Sequence, residues 1–357
     1  MFRFPARLCT AFAFAAAAVA LGTPLFGQQP PPAMPDVRSL GPQVGSKVPD
    51  FSLPDQHGET RTLRSLMGPK GMLLVFYRSA DWCPYCKTQL AELQARLPQL
   101  SKEGLGLAAI SYDPVPVIAD FTRRRGITFP LLSDAGSATI RKYGIFNTTV
   151  PASNAQSYGI PFPGTFVLDR DGLVTARFFE PAYQERATVG SMLARLGNDL
   201  EVQATTVRSP QLEVVSYVTD SVVAPGTHFS VVLDAKPSAG IHVYAPGVTG
   251  YKPITLTIAP QVGVLVRGAQ FPTPETYLFV PLNERVQVYQ RPFRIVQDLA
   301  IDATPEGVAA LKGESTLTLR GTLGYQACDD RICFSPQTVP LTWTVKLREL
   351  DRERAVR

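Results

Sequence analysis

Cysteine is scarce in this chain of 357 residues: five in all, far too few for a fold stapled by disulfides. Histidine is scarcer, and His57, His228 and His242 stand apart with no pattern of metal ligands around them, so each is expected to be an ordinary structural side chain. Charge of one sign is also missing. The net +5 is modest for the length, and the one tight basic run, Arg123-Arg124-Arg125, has no interleaved aromatic residues. That pattern reads as a solvated helix end and excludes nucleic acid as an expected partner. No internal repeat appears, and no long apolar run follows the N-terminal segment. What is plentiful is proline and glycine, 32 and 27 residues, which calls for many turns and extended segments. The length suits two domains with cores large enough to fold unaided.

Arg3 and Arg7 precede an apolar, alanine-rich stretch from Leu8 to Gly22, followed by small residues up to Gly27. Residues 1–27 are read as an export signal cleaved before Gln28, with an uncleaved membrane anchor as the alternative. Either reading makes the protein exported, periplasmic or extracellular, where disulfides persist. Membrane contact is expected only if the leader is retained, and Cys9 lies within it. Residues 28–42 form a proline-rich tether. From 43 to 197 apolar strands alternate with helical periodicity: a strand at 72–77, a helix from Pro84 that Pro98 bends or ends, a strand at 107–112, a helix at 117–125, a hairpin around Asp171-Gly172, and a last helix at 184–196. This is an α/β domain with a mixed sheet. A linker at 198–206 leads to residues 207–348, where short alternating runs without an amphipathic helix predict an antiparallel β-sandwich. Residues 349–357 form a charged tail expected to fray.

The four cysteines outside the leader make two close pairs: Cys83 and Cys86 in Trp-Cys-Pro-Tyr-Cys, Cys328 and Cys333 in Ala-Cys-Asp-Asp-Arg-Ile-Cys. Zinc is excluded by the spacing, since a pair with two intervening residues and a pair with four, in unlike domains, do not converge on one ion. The first pair falls at a strand-to-helix junction, where unpaired N–H groups and the helix dipole stabilise a thiolate on Cys83. Cys86, one turn on, is placed to attack a mixed disulfide on Cys83. Pro84 suits the first helical turn, and Trp82 is expected to pack beside the sulfur. Asp169-Arg-Asp-Gly is a hairpin turn, because its oxygen ligands stop too soon for calcium. For the second pair, spacing alone leaves a structural disulfide and a redox pair open. Asp329 and Asp330 beside it either raise the thiol pKa or simply keep the loop soluble.

On Val48-Pro-Asp-Phe-Ser-Leu, Trp82-Cys-Pro-Tyr-Cys and Pro163-Gly-Thr-Phe-Val-Leu-Asp-Arg-Asp-Gly, residues 44–197 resemble the thioredoxin-like superfamily. The opening motif and Phe129-Pro-Leu-Leu-Ser-Asp are most like its peroxiredoxin (alkyl hydroperoxide reductase/thiol-specific antioxidant) branch. The resemblance implies catalysis by Cys83 and Cys86, with Pro163 as a cis-proline facing the disulfide. It departs from the peroxidases in having Phe76 and Ala80 where they carry proline and a hydroxyl residue, and Pro163 where they carry arginine; Arg78 is expected as a solvent-facing charge near the site, with compensation for those donors as the alternative. Residues 207–347 resemble the N-terminal immunoglobulin-like domain of DsbD-type thiol:disulfide interchange proteins, on Gly240-Ile-His-Val-Tyr and on Tyr325-Gln-Ala-Cys-Asp-Asp-Arg-Ile-Cys-Phe-Ser-Pro-Gln. That resemblance implies a redox-active Cys328/Cys333 pair, with Tyr277 to Phe279 as a candidate capping segment.

The expected protein is thus an exported thiol–disulfide oxidoreductase needing no cofactor. Its partners are protein thiols or disulfides and a membrane or soluble thiol reductant, and a relay between its two cysteine pairs is a further expectation. A thiol peroxidase and a non-catalytic binding protein with structural disulfides are the alternatives.

Overall fold

Every side chain of the Gly71–Phe76 strand is buried, the pattern of a strand covered on both faces. In the computed structural model, which describes residues 35–280 and 283–355, it is the centre of a five-stranded sheet. The order is Leu131–Ser133, Leu105–Ser111, Gly71–Phe76, Gly164–Leu168, Val174–Phe178. The first three pair in parallel and the last two close antiparallel, so the sheet is mixed. At the hairpin, Gly172 takes φ +79°, and Asp169 Oδ1 accepts the N–H groups of Asp171 and Leu173. Alternation sorts the central strand cleanly: Leu73 and Val75 face Leu90, Leu93 and Phe121, while Met72, Leu74 and Phe76 face Ile140, Tyr143 and Phe166. The export signal and residues 28–34 of the tether lie outside the described residues, while Val37 at its far end is buried against the first domain.

Two expected helices differ. Pro84–Lys102 runs through Pro98 without ending. The ring removes one backbone bond, but Leu93, Leu97 and Leu100 on either side of it share one core and hold the helix together. The last helix is only Val189–Arg195. Ahead of it Arg186 and Ala187 form a strand pairing in parallel with Thr227 and His228 of the second domain, which claims the backbone groups a helix would have used.

The second domain is a sandwich. One sheet has the order Val264–Gln270, Phe293–Ile301, Thr227–Pro237, Leu212–Val218, Thr205–Arg208; the facing sheet has Val222–Val223, Gln337–Leu347, Thr316–Tyr325, Thr255–Ile258. Along Thr316–Tyr325 buried and exposed residues alternate, and its inner side chains Leu317, Leu319 and Leu323 meet Phe229, Val231 and Leu233 in one core. Trp343 closes it, its indole N–H donating to Ser216 Oγ at 2.6 Å. A smaller sheet of Glu275–Phe279, Glu284–Tyr289, His242–Tyr244 and Ala327–Cys328 carries the second cysteine pair. A short helix, Pro305–Ala310, capped by Thr304, was not expected from periodicity. The two domains fall in one compact unit. Among the described residues no helix is long and apolar enough to cross a membrane.

Candidate active site

The central strand delivers the chain to Cys83, the N-cap of the Pro84–Lys102 helix, with Pro84 in the first turn. Cys83 and Cys86 are bonded to each other, their Cα atoms 5.3 Å apart, and both are fully buried. The loop before them is held from behind by Asp113, which accepts from Ala80 N at 2.6 Å, Ser79 Oγ at 2.8 Å and Ser111 Oγ at 3.0 Å. Ser79 Oγ in turn accepts from Asp81 N at 3.0 Å. Burial raises the Asp113 carboxyl to about 6 against these hydrogen bonds, which pull it down.

Trp82, next to Cys83 in the chain and packed on the same core, donates its indole N–H to Tyr112 Oη at 2.9 Å. Over it sits the Arg78 guanidinium, 4.8 Å from the Trp82 ring and 4.2 Å from that of Tyr183. Phe76 and Ala80 are fully buried apolar residues. Pro163 is buried directly ahead of the Gly164–Leu168 strand, but no peptide bond among the described residues is cis, so the cis-proline implied by resemblance is not present. Two groups of the site escaped sequence reasoning. Asp113 has no local motif. Arg186 was hidden in a stretch read as helix; it is buried, and its Nη2 reaches Cys86 Sγ at 3.8 Å.

The second domain closes around this site. Tyr85 of the motif stacks edge-on with Tyr183 and its hydroxyl points at Ala303 O, 3.5 Å away. Arg186 N–H donates to Gly226 O at 2.8 Å. His228, expected to be isolated, is brought by the fold against Glu180 and Glu185; Glu185 also binds Arg267 at 2.7 Å. Glu185 already serves the Arg267 cation, and the group reads as a polar seam between domains. Arg96 joins Asp220 across the same boundary at 3.0 Å. The described part of the C-terminal tail, to residue 355, is held in place: Asp351 pairs with Lys87 and Arg125, and Arg354 pairs with Asp81 at 2.7 Å.

The second pair is built differently. Cys328 and Cys333 are bonded, Cα atoms 4.0 Å apart, across a loop that Asp329 closes by accepting from Arg331 N and Ile332 N at 2.8 and 2.7 Å. Those bonds hold the Asp329 carboxyl below the usual range, so its part here is to shape the loop. Cys328 is buried and Cys333 is exposed. The Tyr244 hydroxyl lies 3.1 Å from Cys328 Sγ and 3.4 Å from Cys333 Sγ. Its ring stacks on Tyr251 at 4.2 Å, and Tyr251 donates to Glu284 at 2.6 Å. His242 pairs with Cys328 across the sheet, and its ring packs 4.3 Å from that of Tyr277, which places the candidate capping segment beside the pair. Burial lowers the His242 pKa, with Asp329 opposing. His57 is exposed on a turn away from both pairs.

The two pairs sit at opposite ends of the sandwich. Thr227, at the start of its strand, meets the first domain, while His242 and Cys328 lie past the other end of that strand at Pro237. Eleven residues of strand separate the ends by roughly 33 Å at ~3.3 Å per residue.

Comparison with known proteins agrees with both halves. Residues 44–177 match the model of the AhpC/TSA family, and residues 211–342 that of the thiol:disulfide interchange protein DsbD, N-terminal. Over 139 residues the chain is 38% identical to alkyl hydroperoxide reductase E of Mycobacterium bovis, covering 38% of this chain and 84% of that protein. Over 138 residues it is 31% identical to the putative peroxiredoxin bcp of Coxiella burnetii, 38% of this chain and 86% of the relative. Over 145 residues it is 26% identical to the thiol-disulfide oxidoreductase ResA of Bacillus thuringiensis, 40% of this chain and 74% of the relative.

Proposed function

The chain belongs to the AhpC/TSA family through residues 44–177 and is a thiol-based oxidoreductase, and from that premise we propose that it is exported and exchanges electrons with protein disulfides through Cys83 and Cys86. The observation that carries this reading is a cysteine pair one helical turn apart at a helix N-terminus, with apolar Ala80 where a peroxidase carries a hydroxyl donor and Pro163 where it carries an arginine. The Cys83 thiolate attacks one sulfur of a partner disulfide, and the other partner sulfur leaves as a thiolate. Cys86 then attacks Cys83 Sγ and expels the second partner thiolate. Two electrons reach the partner and Cys83–Cys86 is left oxidised; the same steps run backwards for an oxidant. The exposed Cys333 is the sulfur a partner thiolate can reach in the second pair. The separation of the two pairs along the sandwich supports a relay that runs between two molecules rather than within one.

In a Cys86→Ala variant the mixed disulfide on Cys83 has no resolving thiol, so a partner protein should be trapped and released only by added thiol. No adduct at Cys83 would overturn the reading. Peroxide reduction is the second reading, favoured by the identity to alkyl hydroperoxide reductase E. It requires a sulfenic acid on Cys83 and catalytic consumption of peroxide, which the same protein samples can be assayed for.

A further inference from the structure

Arg186 is a charge with no evident counterpart. It is 7% exposed, its Nη1 donates to Glu185 O at 2.6 Å, and its Nε has no partner among the described residues. No carboxylate lies within ion-pair distance of it there, nor of Arg78, whose Nε is also buried and unmatched. Glu180 and Tyr183 favour its charge from a distance; burial, and then Arg78, oppose it and push Arg186 down to about 9. Lys87, on the helix itself, is already matched by Asp351. The Arg186 guanidinium thus lies against a neutral disulfide, with the Arg78 charge near enough to oppose its own, an arrangement that costs free energy as long as no anion joins them.

We propose that Arg186 is a catalytic residue of the Cys83/Cys86 centre: its Nη2 stabilises the thiolate of Cys86, supplying the missing anion when the disulfide opens. The inference rests on disulfide exchange at Cys83. When an incoming thiolate attacks Cys83 Sγ, the S–S bond breaks, its electron pair goes to Cys86 Sγ, and the new bond joins Cys83 to the partner. The leaving sulfur is the one 3.8 Å from Arg186 Nη2. In the reverse direction the same contact keeps Cys86 ionised for its attack on the mixed disulfide, where a buried thiol without a cation would stay protonated. Stabilising the reduced form also makes the pair more oxidising. Because Arg186 stands on the strand that pairs with Thr227 and His228, docking of the second domain fixes this cation beside the sulfur.

The test is a site-resolved titration of Cys86 in the reduced full-length Cys83→Ser protein, followed by NMR of carbon-13-labelled cysteine Cβ. Cys86 should titrate at least about one unit below the ordinary thiol value of ~8.5. Arg186→Met should raise it by about one unit or more, a tenfold loss of thiolate near neutrality, and Arg186→Lys should restore part of the shift. In the otherwise native protein, Arg186→Met should make the pair more reducing by roughly tenfold in its equilibrium with glutathione, ~30 mV. A Cys86 value at or above about 8.5 in the Cys83→Ser protein overturns the proposal, even if Arg186→Met fails to fold; so does a value that Arg186→Met leaves unchanged. Trapping in Cys86→Ala reports separately on exchange at Cys83. A low, arginine-dependent Cys86 value without trapping would sink the exchange reading and leave the Arg186–thiolate pair standing.

Discussion

The two disulfides of this chain differ in almost every physical respect. Cys83–Cys86 is wholly buried at a helix N-terminus, with Arg186 against Cys86 Sγ, under a second domain and a docked tail. Cys328–Cys333 stands at the rim of a small sheet, one sulfur in solvent, served by the phenols of Tyr244 and Tyr251 and the carboxylate of Glu284. The first sets a guanidinium against Cys86 Sγ, which favours a thiolate there; the second offers neutral donors, which support a leaving thiolate but do not preform it. Exposure runs the opposite way. The centre best equipped for ionisation is the one closed to partners, so its access depends on relative movement of the tail or of the second domain.

The sharpest way to break the contrast is to remove one sulfur from each centre. Cys83→Ser should lower exchange with a model protein disulfide by roughly a thousandfold or more, since it deletes the nucleophile. Cys333→Ser should leave that rate unchanged. In dilute Cys83→Ser protein, reduction of Cys328–Cys333 by an external dithiol should match wild type, whereas mixing wild-type copies should give transfer whose rate rises with protein concentration. Transfer independent of concentration would mean that the two ends of the sandwich come together within one molecule.

The centres should also part in their response to acid. Asp113, behind the first, is raised to about 6 by burial, against an ordinary value of ~3.9. Between those values the folded protein binds more protons than the unfolded chain. Its contribution is therefore full at about pH 4 and below, and is lost as pH rises through about 6, on the order of 3 kcal/mol. Asp329, beside the second pair, is lowered by backbone N–H donors. Its contribution is present above the ordinary value and is lost only as pH falls through the lowered one, so it is constant over this window. Urea midpoints of Asp113→Asn should show a flatter slope than wild type between about pH 4 and 7; an unaltered slope would remove Asp113 from the account.

Much of this was legible in the residues. The apolar run at 72–77, the leucine spacing after Pro84 and Asp171-Gly172 are local signals, and the fold kept them, the strand falling at Gly71–Phe76, because tertiary packing agrees with each. Alternation in Thr316–Tyr325 likewise survives as a sandwich strand. What escaped is non-local. Arg186 and Ala187 have helical neighbours in sequence and become a strand because Thr227 and His228 offer an edge. Asp113 and Arg186 belong to the site only through the sheet order and the domain contact, and the tail is pinned by Lys87, Arg125 and Asp81 from a domain far away in sequence. The edge strands Thr205–Arg208 and Val264–Gln270 are largely exposed, so hydrophobic periodicity was faint there.

The smallest expected effect separates the roles of Cys328 and Cys333. Cys333 is the exposed residue of the pair, so in the proposed exchange the incoming thiolate attacks its sulfur and Cys328 leaves as an anion in a buried position. There the Tyr244 hydroxyl, 3.1 Å away, is the donor that meets it, and burial keeps that phenol protonated well above its usual range. Tyr244→Phe removes one neutral hydrogen bond from a developing charge, about 1 kcal/mol, so reduction of the second pair should slow roughly fivefold. Exchange at Cys83 should be untouched. If Cys328 were the sulfur attacked, the leaving group would be the solvated Cys333, water would replace the phenol at no cost, and the variant would react at the wild-type rate.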